Sequence, residues 1–260
     1  MADHLARFAA RAREAVERGL YAAGPRAARR ASVGLKASIF KRPPGLVAEI
    51  KPASPSAGKL RDVADPAALA SGFASAGAAG VSVLTEPVEF GGSLASLADV
   101  AAKVDLPVLM KDFVVDPAQV DAAARAGASA VLLLMPLFER GLTAWEAPAQ
   151  AVAYAHSRGL EVLLEVADEA GFRRARATKA DVIGINNRDL ATLAVDPGRA
   201  ARVLAAERKD RPVLALSAIE TAADVARARA AGADGVLVGT ALMRAPDPAA
   251  LARSLVEGAR

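Results

Sequence analysis

LVAEIKPASPSAG, residues 46–58, begins as a buried strand and ends as a polar loop. Leu46, Val47 and Ala48 form an apolar run without polar alternation, as a strand covered on both faces requires. Glu49 and Lys51 follow at alternate positions, so their side chains leave the strand on the same side. Pro52 stops the strand, and the hydroxyls and turn formers from Ala53 to Gly58 make the loop. A carboxylate and an ammonium together at the C-terminal end of a buried strand must either pair as a structural ion pair or serve a polar ligand.

Outward from this stretch one theme repeats. Short Val/Leu/Ile/Ala runs alternate with Ala-rich segments of helical period. The runs predict strands at 46–50, 80–84, 107–110, 130–134, 161–165, 181–185, 213–216 and 235–238. The phrase small-Gly-Ala-x-x-Val recurs at Ala76–Val81, Ala126–Val131 and Ala231–Val236, each a helix ending on glycine and leading into a strand. Eight such β/α units predict an α/β fold of the (β/α)8 barrel type, with a doubly wound sheet as the alternative. No linker marks a second domain, so residues 1–260 read as one barrel domain in which 1–45 is an N-terminal helical extension. That extension starts with a helix from Ala2 to about Tyr21, whose Leu5, Phe8, Ala9, Ala12, Val16 and Leu20 share a side. The basic segment after it (Arg26, Arg29, Arg30, Lys36, Lys41, Arg42) reads as a solvated face.

The totals exclude several classes of function. Lys and Arg number 33 against 29 Asp and Glu, and aromatics make up 4% of the chain. This speaks against a nucleic-acid surface or a base-stacking platform. The chain has no cysteine, which removes disulfides, thiolate catalysis and Cys-based metal sites. His4 and His156 are the only histidines, so no metal site is expected. No apolar run approaches the roughly 20 residues of a membrane span, and the N-terminus lacks a signal-peptide core. The expectation is a soluble cytoplasmic protein that binds neither nucleic acid nor membrane.

In a barrel of this kind the functional groups stand at the C-terminal strand ends. There the sequence places Glu49 and Lys51, Thr85 and Glu86, Lys111 with Asp112 and Phe113, Glu165, Asn186 to Arg188, Ser217 with Ala218, and Gly239 with Thr240. The loops after the seventh and eighth strands both lead into helix starts, the usual phosphate site of such barrels. Gly239 is expected to let a ligand approach the backbone. A phosphorylated small molecule is therefore the expected ligand. Lys111 sits at the edge of an apolar core, where burial is expected to lower its pKa into the range of a general acid. The same burial is expected to raise Glu165, a candidate base. Structural pairs Lys51–Glu49 and Lys111–Glu165 are the alternative.

These residues carry a resemblance to the indole-3-glycerol phosphate synthase family. Ala48 to Lys51 with Ser54-Pro55-Ser56 resembles the family's first-strand signature, and Val83 to Glu86 with Phe90 to Ser93 its second. Pro107 to Phe113 with Asp116-Pro117 and Gln119-Val120 is similar to its third. Leu164 to Val166, Ile183 to Leu190 and Gly239 to Met243 complete the likeness over roughly residues 46 to 250. The resemblance implies closure of the indole ring of 1-(2-carboxyphenylamino)-1-deoxyribulose 5-phosphate with loss of carbon dioxide and water. It implies Lys111 as general acid and Glu165 as base, with Glu49, Lys51 and Asn186 in the catalytic set. Lys51 and Arg188 would hold the carboxylate and Asn186 the sugar hydroxyls. Phe113, Leu190 and Leu237 would face the substrate, and Lys51, Ser54, Ala218, Gly239 and Thr240 would take the phosphate. No cofactor or metal is implied; association with other tryptophan-pathway enzymes is an expectation.

Two departures stand out. Where the family's seventh strand ends Glu-Ser-Gly, this chain has Leu216-Ser217-Ala218. Leu216 removes a carboxylate from the substrate-facing wall, and Ala218 adds a methyl beside the phosphate next to Ser217. The alternatives are therefore a related phosphate-binding barrel enzyme with another substrate, of the phosphoribosylanthranilate isomerase kind or engineered, or a non-catalytic sugar-phosphate-binding barrel.

Overall fold

A computed structural model of the protein describes residues 3–26 and 31–259. Eight parallel strands close into a barrel: β1 (Leu46–Ile50), β2 (Gly80–Leu84), β3 (Val108–Lys111), β4 (Ala130–Leu134), β5 (Glu161–Val166), β6 (Val182–Asn186), β7 (Val213–Leu216) and β8 (Gly235–Val238). Each strand pairs with its sequence neighbours, and β8 returns to β1 through Leu46↔Val236 and Ala48↔Val238. The predicted strand positions hold to within one residue, and the doubly wound alternative is excluded by this closure.

Strand alternation divides the core in two. Leu46, Ala48, Ile50, Val131, Leu133, Ile183 and Ile185 pack outward beneath the helices. Val47, Leu109, Leu132, Leu163, Leu214 and Leu237 fill the barrel interior. The same alternation carries Glu49, Lys111, Glu165 and Asn186 inward, one step further toward the C-terminal rim than these interior residues. Helices return to the strands through left-handed glycines where the recurring phrase predicts them: Gly77, Gly127 and Gly232 have φ of 89°, 84° and 103°.

The N-terminal extension serves both ends of the barrel. Helix α1 is His4–Glu17, shorter than the predicted Ala2–Tyr21; it ends two residues before Gly19, which enters the left-handed region at φ 77°. Ala2 lies outside the described residues. Leu5, Phe8, Ala9 and Ala12 are buried as the stripe predicts, whereas Leu20 is 46% exposed. Helix α2, Leu35–Lys41, was not anticipated, because its lysines read as a solvated run. Lys36, Lys41 and Arg42 are indeed exposed, but Leu35 and Ile39, four apart, are fully buried under the barrel floor. Glu161 at the start of β5 accepts the Lys36 backbone N–H at 2.9 Å and so caps this plug. Arg29 and Arg30 lie outside the described residues. Among the described residues no helix is long and apolar enough to cross a membrane.

Candidate active site

The mouth at the C-terminal strand ends is a cavity of about 450 Å³. Every side chain that the sequence nominated as catalytic lines it: Glu49, Lys51, Lys111, Glu165 and Asn186. So do the nominated substrate residues Ser54, Phe113, Arg188, Leu190, Leu216, Ser217 and Leu237, and the nominated phosphate residues Ala218, Gly239 and Thr240. Thr85, Glu86 and Asn187 are not among its lining and work behind it. Glu86 accepts the backbone N–H groups of Val88, Glu89 and Phe90 at 2.7–3.0 Å, which shapes the loop after β2. Asn187 donates to the Ser217 carbonyl at 3.1 Å and so supports the loop after β7.

Charge in the mouth is organised by Glu49. Its Oε1 lies 2.9 Å from Lys51 Nζ and its Oε2 lies 3.7 Å from Lys111 Nζ, and the carboxylate is buried. Burial alone would favour the neutral acid, but the two ammonium groups outweigh it and hold Glu49 below the usual carboxylate range. Lys111 departs from expectation. Burial works against its charge, yet the Glu49 and Glu165 carboxylates outweigh burial and raise its pKa. Lys111 is therefore a charged donor rather than a lysine tuned down by an apolar site. The Lys51–Glu49 pair weighed from the sequence is formed, whereas Lys111 takes Glu49 as its salt-bridge partner in place of Glu165.

Glu165 stands apart from this pair. Burial raises its pKa, as expected, against the lowering effects of Lys111 and of the Asn186 hydrogen bond. Asn186 Nδ2 donates to Glu165 Oε1 at 2.7 Å, and its Oδ1 accepts the Arg188 N–H at 2.8 Å. Each polar atom of Asn186 is thus engaged once, which orients Glu165 and leaves a second Nδ2–H and a second Oδ1 lone pair for a ligand. Arg188 donates to the Leu193 carbonyl at 2.8 Å, and burial lowers its pKa.

The opposite end of the mouth is backbone-rich. Ser217 and Ala218 both adopt left-handed conformations, with φ of 64° and 56°. A side chain there costs about 1–2 kcal/mol that glycine avoids. Ala218→Gly is expected to raise unfolding stability by about 0.5–1 kcal/mol once glycine's extra chain entropy is deducted, readable by denaturant titration. Gly239 serves a purpose the sequence did not reveal. A Cβ added there would collide with the Glu49 carboxylate, so the glycine makes room for that buried side chain. Gly239→Ala is expected to displace Glu49 from both lysines and cut turnover about 100-fold, with the thermal transition little changed. Ser54 supplies a buried hydroxyl with no hydrogen-bond partner among the described residues, and Arg244, which the sequence reading missed, also lines the cavity.

The remaining wall is aromatic and aliphatic. Phe113 stacks on Phe8 of α1 with centroids 4.6 Å apart, and Phe90 lies 6.0 Å from Phe113. Phe8 was missed as a mouth residue because the stripe of α1 reads only as core-facing. Asp112 anchors the Phe113 backbone: it accepts the Phe113 N–H at 2.8 Å, the Thr85 hydroxyl at 2.6 Å and the Tyr21 hydroxyl at 2.8 Å. Burial pushes Asp112 up to about 6. Leu216 is buried on the wall, and a Cβ on Gly184 would meet its Cδ1 at 2.8 Å. Among the described residues no group of three or more His, Asp or Glu side chains is arranged to hold a metal ion.

A closed (β/α)8 barrel whose acids, bases and backbone cradle face one mouth defines a barrel enzyme that works on a small molecule. Solved structures support the fold alone. A structure described as native KDPGal superposes with a TM-score of 0.56 at 21% identity, covering 82% of this chain and 93% of that one. A designed cube-shaped protein cage superposes with a TM-score of 0.57 at 19% identity, covering 82% and 71%. Sequence comparison is more specific. The profile of indole-3-glycerol phosphate synthase matches residues 10–255. The indole-3-glycerol phosphate synthase of Methanopyrus kandleri is 44% identical over 243 residues, 92% of this chain and 90% of that protein. That of Rhodopirellula baltica is 43% identical over 205 residues, 78% and 76% of the two chains. The chain belongs to the indole-3-glycerol phosphate synthase family, lyases of tryptophan biosynthesis.

Proposed function

We propose that this mouth closes the indole ring of 1-(2-carboxyphenylamino)-1-deoxyribulose 5-phosphate, with Lys111 as general acid and Glu165 as general base. The observation that carries the reading is the company these two keep. A charged lysine and a carboxyl raised by burial line one cavity together with the left-handed loop at Ser217 and Ala218. The aromatic ring would lie against Phe113, Phe8 and Leu190, with Leu237 beneath it. Its carboxylate would meet Arg188 and Lys51. The phosphate would sit on the amides of Ala218, Gly239 and Thr240, with the free hydroxyl of Ser54 turned to it.

Lys111 would then protonate the ketone oxygen as the ring carbon attacks, and carbon dioxide would leave its electron pair in the ring. Lys111, reprotonated from solvent, would deliver the second proton that converts the hydroxyl to departing water while Glu165 removes the carbon-bound proton. Glu49 holds Lys111 in place and keeps it protonated. Association with other enzymes of tryptophan synthesis and a cytoplasmic location belong to the same reading.

The test is purified protein with the carboxyphenylamino-deoxyribulose phosphate, followed by indole fluorescence. Product formation supports the synthase; tight binding without product would support a sugar-phosphate-binding barrel instead. Leu216 favours a second reading, a related enzyme with another phosphorylated substrate, because it places a leucine where the family carries a carboxylate. Leu216→Glu is expected to raise turnover in the same assay. An unchanged or lower rate would mean that the wall has been rebuilt around the leucine.

A further inference from the structure

In the proposed pose the phosphate meets backbone amides and one hydroxyl but no cation, although a phosphomonoester carries about −1.5 to −2 charges near neutral pH. Four cations line the mouth: Lys51, Lys111, Arg188 and Arg244. Three are engaged. Glu49 pairs with both lysines, and Arg188 donates to the Leu193 carbonyl. The Arg244 guanidinium is exposed and makes no hydrogen bond or ion pair with the described residues.

Local geometry aims this free guanidinium at the mouth. Arg244 ends the short helix Thr240–Arg244, in which Thr240, Ala241 and Arg244 line the cavity. Spacings of four and three put these residues on one helical face, and helical side chains lean back toward the N-terminal turn, so the guanidinium is directed toward Thr240. Arg61, from the loop after β1, fixes the backbone on either side of Arg244: it donates to the Met243 carbonyl at 3.0 Å and to the Ala245 carbonyl. The Arg61 N–H donates in turn to the Pro52 carbonyl at 3.1 Å, where that loop leaves β1. The same loop carries Ser54, whose hydroxyl is buried, lines the cavity and has no partner among the described residues. A buried hydroxyl left without a partner is an independent sign that a polar ligand completes this end of the mouth. Glu220, on the loop after β7, also lines the mouth and does not pair with Arg244.

We propose that Arg244 is a phosphate-binding residue of this mouth, whose guanidinium meets the outer oxygens of a phosphomonoester while Ser54 and the backbone amides take the inner ones. A guanidinium presents two parallel N–H donors to a phosphate and remains charged at every working pH. Its exposed position at the rim also lets it attract the dianion before docking. With Arg244 removed, Glu220 would leave this rim negative, so the substrate would meet repulsion as well as a lost contact.

The inference rests on the phosphorylated substrate proposed above, and its test separates the two. Arg244→Gln is expected to raise KM about tenfold, the low end for a hydrogen bond to a charged group because the guanidinium is exposed. The value of kcat should stay within about twofold, as for a contact held equally in ground and transition states. Inorganic phosphate, used as a competitive inhibitor, should weaken by a similar factor. Added NaCl should lower kcat/KM of the wild type more steeply than that of the variant, which a merely structural role would not produce. Arg244→Lys should recover part of KM, since it restores the charge without the fork. A folded Arg244→Gln with KM and phosphate inhibition within twofold of wild type overturns the assignment. Should the wild type form no indole product, calorimetry with inorganic phosphate decides. Binding about tenfold weaker in Arg244→Gln keeps Arg244 and overturns the reaction alone; equal binding by both proteins, or none by the wild type, overturns Arg244 as well.

Discussion

Replacing Lys111 by alanine is expected to lower kcat by about 10³-fold, within the ~10²- to 10⁴-fold range of a positioned general acid, with KM changed little. The fold should survive the change. Glu49 keeps Lys51 at 2.9 Å when Lys111 is removed, so no buried carboxylate is left without a cation. Glu165 loses the ammonium that favours its charged form, so its pKa should move up further. The residual activity should accordingly show its acid limb at higher pH than in wild type. Single-turnover indole fluorescence across a pH series reads both effects. A rate within a few-fold of wild type would remove Lys111 from the chemistry.

Glu165→Gln is the second large effect, with kcat expected to fall about 10²- to 10³-fold. Glutamine keeps the length of the side chain and an oxygen to accept from Asn186, so loss of activity would report loss of the base rather than loss of packing. The pH dependence fixes the sign. Glu165 must be ionised to take a proton, and burial raises its pKa, so wild-type kcat should fall as pH drops through a value above the ordinary glutamate range near ~4.3. Lys111 must be protonated, and its pKa is raised as well, so it should impose no alkaline loss through neutral pH. The acid limb should vanish from the residual activity of Glu165→Gln. Because the two groups interact, the apparent values belong to the pair.

The strands were legible because buried parallel strands show as uninterrupted Val, Leu and Ile runs, and the barrel followed from their number and spacing. Period two carried the argument further: Glu49 and Lys51 could be placed on one side of β1 before any coordinate was known. What stayed hidden depended on contacts between residues distant in sequence. The proton affinity of Lys111 depends on Glu49, from a different strand. Apolar surroundings alone pointed the wrong way, because the opposing charge outweighs burial. The purpose of Gly239 appears only when Glu49 is seen above it. Phe8 reached the mouth because α1 crosses the rim, and no local pattern distinguishes that from ordinary core packing. The lysines of α2 masked a barrel plug whose apolar side rests on Leu35 and Ile39. The Ala53–Ser54 and Gly58–Lys59 hairpin was too short to show through its turn residues.

The most direct measurement of the central claim is a crystal structure of Glu165→Gln with the carboxyphenylamino-deoxyribulose phosphate bound. The account predicts the phosphate on the amides of Ala218, Gly239 and Thr240, the aromatic ring against Phe113 and Phe8, and the ketone oxygen within hydrogen-bond distance of Lys111 Nζ. A phosphate seated on Lys111, or a ketone turned away from it, would contradict the assignment of Lys111 as the acid that drives ring closure.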